Sequence, residues 1–128
     1  AVLTDKGVDA QTSMIFDYAS GAQAVLNTTM IEQTPCRAVV AGLHGWLEID
    51  RTFYNPASMR VVLNDGATTE YPSSYVGHGL REQAEVFKQL VTSGQQQSQI
   101  LNWQDTVDIM KTLDQVRSQI GLKYPFEL

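Results

Sequence analysis

The sequence has little of what would commit it to a membrane, a nucleic acid or a disulfide scaffold. It holds one cysteine in 128 residues, so no intrachain disulfide can form and the chain suits a reducing cytoplasm. No apolar run approaches the roughly 18 residues that a membrane span requires, and no membrane partner is expected. Nine Lys and Arg stand against 14 Asp and Glu, a formal net charge of -5. The basic residues are also scattered, which argues against a phosphate backbone as ligand, so no nucleic acid is expected either. The first residues, Ala1-Val2-Leu3-Thr4-Asp5-Lys6-Gly7, carry neither an initiator methionine nor the basic start and apolar middle of a signal peptide, and this suggests a processed chain or a cloned fragment.

What is present is ordinary for a globular domain. Hydrophobic residues make up 43% and charged residues 18%, and the length suits one core. Asp9 to Tyr18 reads as a strand, with Met14, Phe16 and Tyr18 on one face and Ser13, Ile15 and Asp17 on the other. Ala19-Ser20-Gly21 turns the chain, and Ala22 to Ile31 returns as the second strand of a hairpin. Pro35 confines the next strand to Cys36 through Gly42. Leu43-His44-Gly45 reverses it, and Trp46 to Phe53 alternates Trp46, Glu48 and Asp50 against Leu47, Ile49 and Arg51. After Tyr54-Asn55-Pro56-Ala57, Ser58 to Leu63 and Ala67 to Tyr71 flank the turn Asn64-Asp65-Gly66.

Beyond Pro72 the apolar period changes from two to 3.6. Leu80, Ala84, Phe87 and Val91 recur at helical spacing, widened by Val86 and Leu90, and Gly94 offers a stop. A polar connector, Gln95-Gln96-Gln97-Ser98-Gln99, leads to a second helix that starts near Asn102, with Asp105 placed for a capping box. Val107, Met110, Leu113, Val116 and Ile120 form its stripe, Gly121 ends it, and Pro125 prevents its resumption. Strands followed by helices cannot make the crossovers of a regular parallel sheet. The expectation is therefore an α+β fold: an open, mostly antiparallel sheet of about six strands with two carboxy-terminal helices packed on one face. The other face, left apolar, is expected to be a surface for self-association into a homo-oligomer.

Catalytic motifs are scarce. Gly77-His78-Gly79 opens a helix, but the third glycine position of a dinucleotide fingerprint holds Glu82, and the preceding Pro72-Ser73-Ser74-Tyr75 is loop where a buried strand is required. Helix initiation explains it better. His44 and His78, the two histidines, have no local partner at metal-ligand spacing, and no metal is expected. Carboxylates three apart, Glu82 with Glu85 and Asp105 with Asp108, read as solvated helix faces. The connection Glu32-Gln33-Thr34-Pro35-Cys36-Arg37 gathers a carboxylate, an amide, a hydroxyl and a guanidinium at the end of a sheet. On composition it is a polar connection before it is a ligand site.

Three segments together resemble the carboxy-terminal domain of the Gfo/Idh/MocA oxidoreductases, the glucose-fructose oxidoreductase and inositol dehydrogenase family. They are Gly7-Val8-Asp9 through Thr12-Ser13-Met14-Ile15-Phe16-Asp17-Tyr18 with Ser20-Gly21-Ala22; Gly42-Leu43-His44-Gly45-Trp46-Leu47-Glu48-Ile49; and Ile109-Met110, Thr112-Leu113-Asp114, Arg117, Gln119-Ile120-Gly121 and Tyr124-Pro125. The resemblance implies an amino-terminal Rossmann domain that binds NAD or NADP, followed by an α+β domain whose open sheet mediates assembly. It also implies hydride transfer on a sugar, an inositol or a diol-type alcohol or carbonyl. The family's catalytic lysine lies in a Glu-Lys-Pro segment, and Lys6, Lys88, Lys111 and Lys123 all lie outside one. Its Asp and His helix would precede Ala1. No catalytic or cofactor-binding residue is therefore assigned, and no cofactor is expected on residues 1–128 alone. Within the family a substrate contact can come from the connection into the third strand, which makes Glu32, Thr34 and Arg37 the candidate substrate-binding residues.

The resemblance thus describes residues 1–128 as a substrate and oligomerisation domain of a cytoplasmic oxidoreductase, with the Rossmann domain and the first part of its own domain lying upstream. The chain alone is not expected to be active. The alternative is a free-standing, non-enzymatic α+β binding or assembly module.

Overall fold

In the computed structural model, residues 1–55, 57–75, 77–124 and 126 are described. The elements run in the order β1 Val2–Leu3, β2 Asp9–Asp17, β3 Gln23–Thr29, β4 Ala38–Gly42, β5 Gly45–Ile49, β6 Met59–Leu63, β7 Thr68–Tyr71, α1 Leu80–Thr92 and α2 Trp103–Ile120. All strand pairings are antiparallel. The fold is α+β, as the change of period implies. The chain divides into two compact units, residues 1–33 with 97–128, and residues 34–96.

In the first unit the sheet order is β1-β2-β3. The β2–β3 hairpin turns at Tyr18 to Gly21, where Gly21 N–H donates to the Tyr18 carbonyl at 2.8 Å and Gly21 takes φ +83°. Its register sets Met14 opposite Leu26 and Phe16 opposite Ala24, so these apolar side chains share one face. Ala10 and Thr12, on the same side of β2, are its most buried residues. Tyr18, expected on that face, lies one residue past β2 and is exposed. Strand β1 has only two residues, too few to show a period.

The second unit holds a sheet in the order β4-β5-β6-β7. Its β4–β5 hairpin closes on Gly42 and Gly45 with Leu43-His44 between them. Gly45 has no alternative residue: at φ +153° a Cβ would stand 2.1 Å from the Val62 carbonyl oxygen. The tip is tied to the next turn by Asn64, whose N–H donates to the His44 carbonyl at 3.0 Å and whose side-chain amide donates to the Leu43 carbonyl at 2.8 Å. Gly66, at φ +89°, completes the β6–β7 turn, with Asp65 accepting from Ala67 N–H at 2.9 Å.

Two expectations are corrected. The strands do not form a single sheet of about six but two sheets, of three and four strands. The break falls where Pro35 can donate no hydrogen bond and Cys36 adopts φ +54°, a left-handed conformation that ends extended pairing. The strand expected from Cys36 accordingly begins at Ala38, and the one expected to reach Phe53 stops at Ile49. Second, packing of the helices on a sheet face is not seen within either unit: neither helix buries a residue, and Phe87 and Met110 of their apolar stripes are 68% and 51% exposed. Periodicity identifies which side of a helix is apolar, not what covers it. No described helix is long and apolar enough to cross a membrane.

Helix ends follow the sequence closely. Asn102 Oδ1 accepts from Asp105 N–H and Asp105 Oδ2 accepts from Asn102 N–H, both at 3.0 Å, the reciprocal capping box. Gly121, in the left-handed region, ends α2. Helix α1 starts at Gly79 with no side-chain cap. Pro56 of the expected turn and Pro125 of the expected helix stop lie outside the described residues.

These contacts predict unequal costs on urea unfolding of the chain. Gly45→Ala should lose at least about 2 kcal/mol through the clash with Val62, against about 1 kcal/mol for Gly66→Ala, whose Cβ meets open space. Asn102→Ala should cost about 1 kcal/mol and lower helicity by circular dichroism.

Candidate functional site

The hydrogen-bond alternation of β5 decides which side chains meet. Asn64 N–H donates to the His44 carbonyl and Asp50 N–H to the Ser58 carbonyl, so the even-numbered residues from 44 to 50 bond towards β6. The odd-numbered ones bond towards β4. Side-chain direction alternates in step, which leaves Leu47, Ile49, Val61, Met59, Val40 and Tyr71 on one face of the sheet. Trp46, Glu48, Arg60 and Glu70 stand on the other.

On that second face Glu48 is the one buried charged residue among those described, 9% exposed. A carboxylate in that position needs compensation. Arg60, directly opposite on β6, donates through Nε and Nη2 to Oε2, the former at 3.0 Å. Arg37, one residue before β4, donates from Nη1 to Oε1 at 3.0 Å. Both carboxylate oxygens are thus engaged by guanidinium groups, a charge-assisted arrangement stronger than a neutral pair. The hydrogen bonds from Arg60 hold the Glu48 carboxyl below its ordinary value against the opposing effect of burial, with the charges of Arg60 and Arg37 acting in the same direction. Arg60 is in turn pushed upward, first by its bond to Glu48, then by that group's charge, with Glu70 and Asp50 adding to it. Charge alternates across β5, β6 and β7 as Glu48, Arg60, Glu70, and Arg37 reaches Glu48 from the segment ahead of β4.

Of the three residues singled out from the sequence, the structure gives only Arg37 a polar partner. Glu32 follows β3 in the first unit and Thr34 opens the second. Both are exposed, and neither side chain makes a hydrogen bond or ion pair among the described residues. Glu48 and Arg60, which complete the cluster, escaped the sequence reading. The signal was there in a weak form: Arg60 interrupts Met59-Arg60-Val61-Val62-Leu63, and a charge inside a half-buried strand implies a counter-charge on the neighbouring one.

Other candidates carry less. His44 and His78 are exposed, and neither imidazole has a hydrogen-bond partner among the described residues. No group of three His, Cys, Asp or Glu side chains could hold a metal among the described residues. An open hollow on α1 is lined by Arg81, Glu82, Glu85 and Val86. Its Glu82 carboxyl is held low first by its own backbone N–H at the helix start and then by Arg81. The Arg37–Glu48–Arg60 cluster can bind and orient through guanidinium donors; it contains no redox group.

Because the folded state depresses the Glu48 carboxyl, the unfolded chain takes up that proton first as pH falls. Its contribution to stability is therefore complete well above about pH 4.5 and is lost as pH drops through the lower value of the folded state. Thermal melts between pH 3 and 7 should show a shallower acid decline for Glu48→Gln than for the unsubstituted chain, with a residual slope from Glu82 and Asp108, which are also depressed. Identical pH profiles would remove Glu48 from this role.

No family model matches the chain, and no solved structure matches it. It is similar to the trans-1,2-dihydrobenzene-1,2-diol dehydrogenases of Xenopus tropicalis and Xenopus laevis, each 28% identical over 130 residues, which cover 96% of this chain and 39% of theirs. The Danio rerio protein of the same name is 24% identical over 131 residues, 96% of this chain and 38% of its own. The chain thus spans about two fifths of the length of the curated relatives it matches. Those dehydrogenases belong to the Gfo/Idh/MocA superfamily, the one the sequence resembles.

Proposed function

We propose that the chain is the carboxy-terminal portion of a cytoplasmic NAD(P)-dependent oxidoreductase that acts by hydride transfer on a diol, sugar or inositol, with a vicinal diol as the preferred substrate class. The observation that carries this reading is an alignment over 96% of the chain with dehydrogenases named for a 1,2-diol. The α+β order of strands before helices agrees with it. In this reading the nicotinamide supplies the hydride from a Rossmann domain upstream.

The described residues themselves do not fit a dinucleotide. Ahead of the glycine-rich start of α1, residues 72–75 are not in a strand, and the Glu82 carboxylate already takes the backbone N–H of the first helical turn. A pyrophosphate there would meet a like charge.

The proposed contribution of residues 1–128 is to the substrate pocket and to assembly. Arg37, fixed at one end on Glu48, keeps guanidinium donors for hydroxyl oxygens, with Thr34 and Glu32 as further polar contacts of the same connection. The apolar face of the second unit's sheet supports homo-oligomer formation, since Val40 and Tyr71 on it are 64% and 46% exposed.

The reading frame extended upstream of Ala1 should yield a protein that reduces NAD or NADP in the presence of vicinal diols, followed by nicotinamide absorbance. Arg37→Gln in that protein should raise KM about tenfold or more, the scale of one lost charge-assisted hydrogen bond. An extended protein without turnover on any diol, sugar or inositol would overturn the reading.

A further inference from the structure

The two guanidinium groups on Glu48 are not equivalent. Arg60 stands directly opposite on β6 and gives both Nε and Nη2 to a single oxygen, Oε2. Arg37 gives one donor, Nη1, to the other oxygen at 3.0 Å, and its remaining N–H donors make no hydrogen bond among the described residues. The backbones behind them differ as well. Arg60 lies within a strand paired on both sides, to β5 and to β7, where Glu70 is its partner, so register fixes its position. Arg37 precedes β4 and lies outside the β4–β5 ladder. The carboxylate therefore acts as a relay: Arg60 sets where Oε1 stands, and Oε1 sets where the Arg37 guanidinium is held.

A guanidinium and a carboxylate pair most strongly as two donors on two oxygens. With Oε2 already occupied by Arg60, that fork is closed to Arg37, which stays on one bond. Without Arg60 both oxygens would fall to Arg37. Glu48, only 9% exposed, would then depend on one cation in place of two and would hold it the more tightly. We propose that Arg60 is a positioning residue for the substrate site: by occupying Oε2 of Glu48 it keeps Arg37 on a single bond and leaves Arg37 donors for the hydroxyl oxygens of a diol. The inference rests on the reading of Arg37 as a substrate contact, and it assigns the quality of that contact to a side chain that itself touches no substrate. A donor whose supporting partner stops a competing internal pairing is preorganised for its ligand.

The test uses the protein extended upstream of Ala1, with steady-state kinetics on a vicinal diol followed by nicotinamide absorbance. Arg60→Gln should raise KM about fivefold or more while kcat stays within about twofold, the signature of lost binding. Arg60→Lys keeps the charge but not the two-donor grip, and should recover part of that loss. Arg60→Gln combined with Arg37→Gln should have the KM of Arg37→Gln alone, because Arg60 acts only through Arg37. A purely structural role for Arg60 would lower the unfolding midpoint and leave KM unmoved. An unchanged KM in Arg60→Gln, or a rise that adds in full to that of Arg37→Gln, overturns the inference while the substrate reading of Arg37 stands. Should Arg60→Gln not fold, the same two comparisons with Arg60→Lys decide, and either of those results again overturns the inference. An unchanged KM in Arg37→Gln, or no turnover by the extended protein, overturns the substrate reading and the inference with it.

Discussion

A half-buried sheet can hold a carboxylate in its middle only if cations come to it, and that requirement organises the second unit. Glu48 sits on the central strand β5 and draws one guanidinium from the strand on its right and one from the segment leading into the strand on its left. A one-residue slip of β6 would turn Arg60 to the apolar face and set Val61 against the carboxylate. Glu48 thereby opposes register slip as well as stabilising the register found, and it separates a charged face bearing Trp46 and Arg60 from an apolar face built on Leu47, Ile49 and Val61. The same ion row leaves the two edges unlike, with Glu70 at β7 and the uncharged β4 beside Arg37.

Much of the local structure was legible in the sequence because it is decided by neighbours. The Asn102–Asp105 capping box, the Gly121 stop and the turn from Tyr18 to Gly21 each depend on residues within a few positions of one another. The β2–β3 hairpin emerged from alternation, since Met14 and Phe16 against Leu26 and Ala24 repeat with the period of the pleat. What was not legible depends on partners far along the chain. Separation into two sheets turns on the backbone conformation of Cys36, which side-chain patterning does not encode. The exposure of the helical stripes is a property of what lies against them. β1, at two residues, carries no period at all.

The candidate site divides in the same way. Arg37 was singled out from its place in a polar connection, whereas its ion partner is Glu48, eleven residues on, which Arg60 also engages. Register alone brings the three together. Glu32 and Thr34 were chosen with the same reasoning and have no comparable partners among the described residues. Among the described residues the one buried charge is held in a single cluster, which positions guanidinium donors and carries no redox group.

The dependence of the second unit on Glu48 is tested most directly by a double-mutant cycle on the chain, with Glu48→Gln, Arg60→Gln and the two combined, each followed by urea unfolding. The account predicts strong coupling: each single variant is destabilised, and the double variant loses clearly less than the sum of the two. Additive losses would mean that the carboxylate and the guanidinium act independently, and would contradict the claim that their pairing sets the sheet.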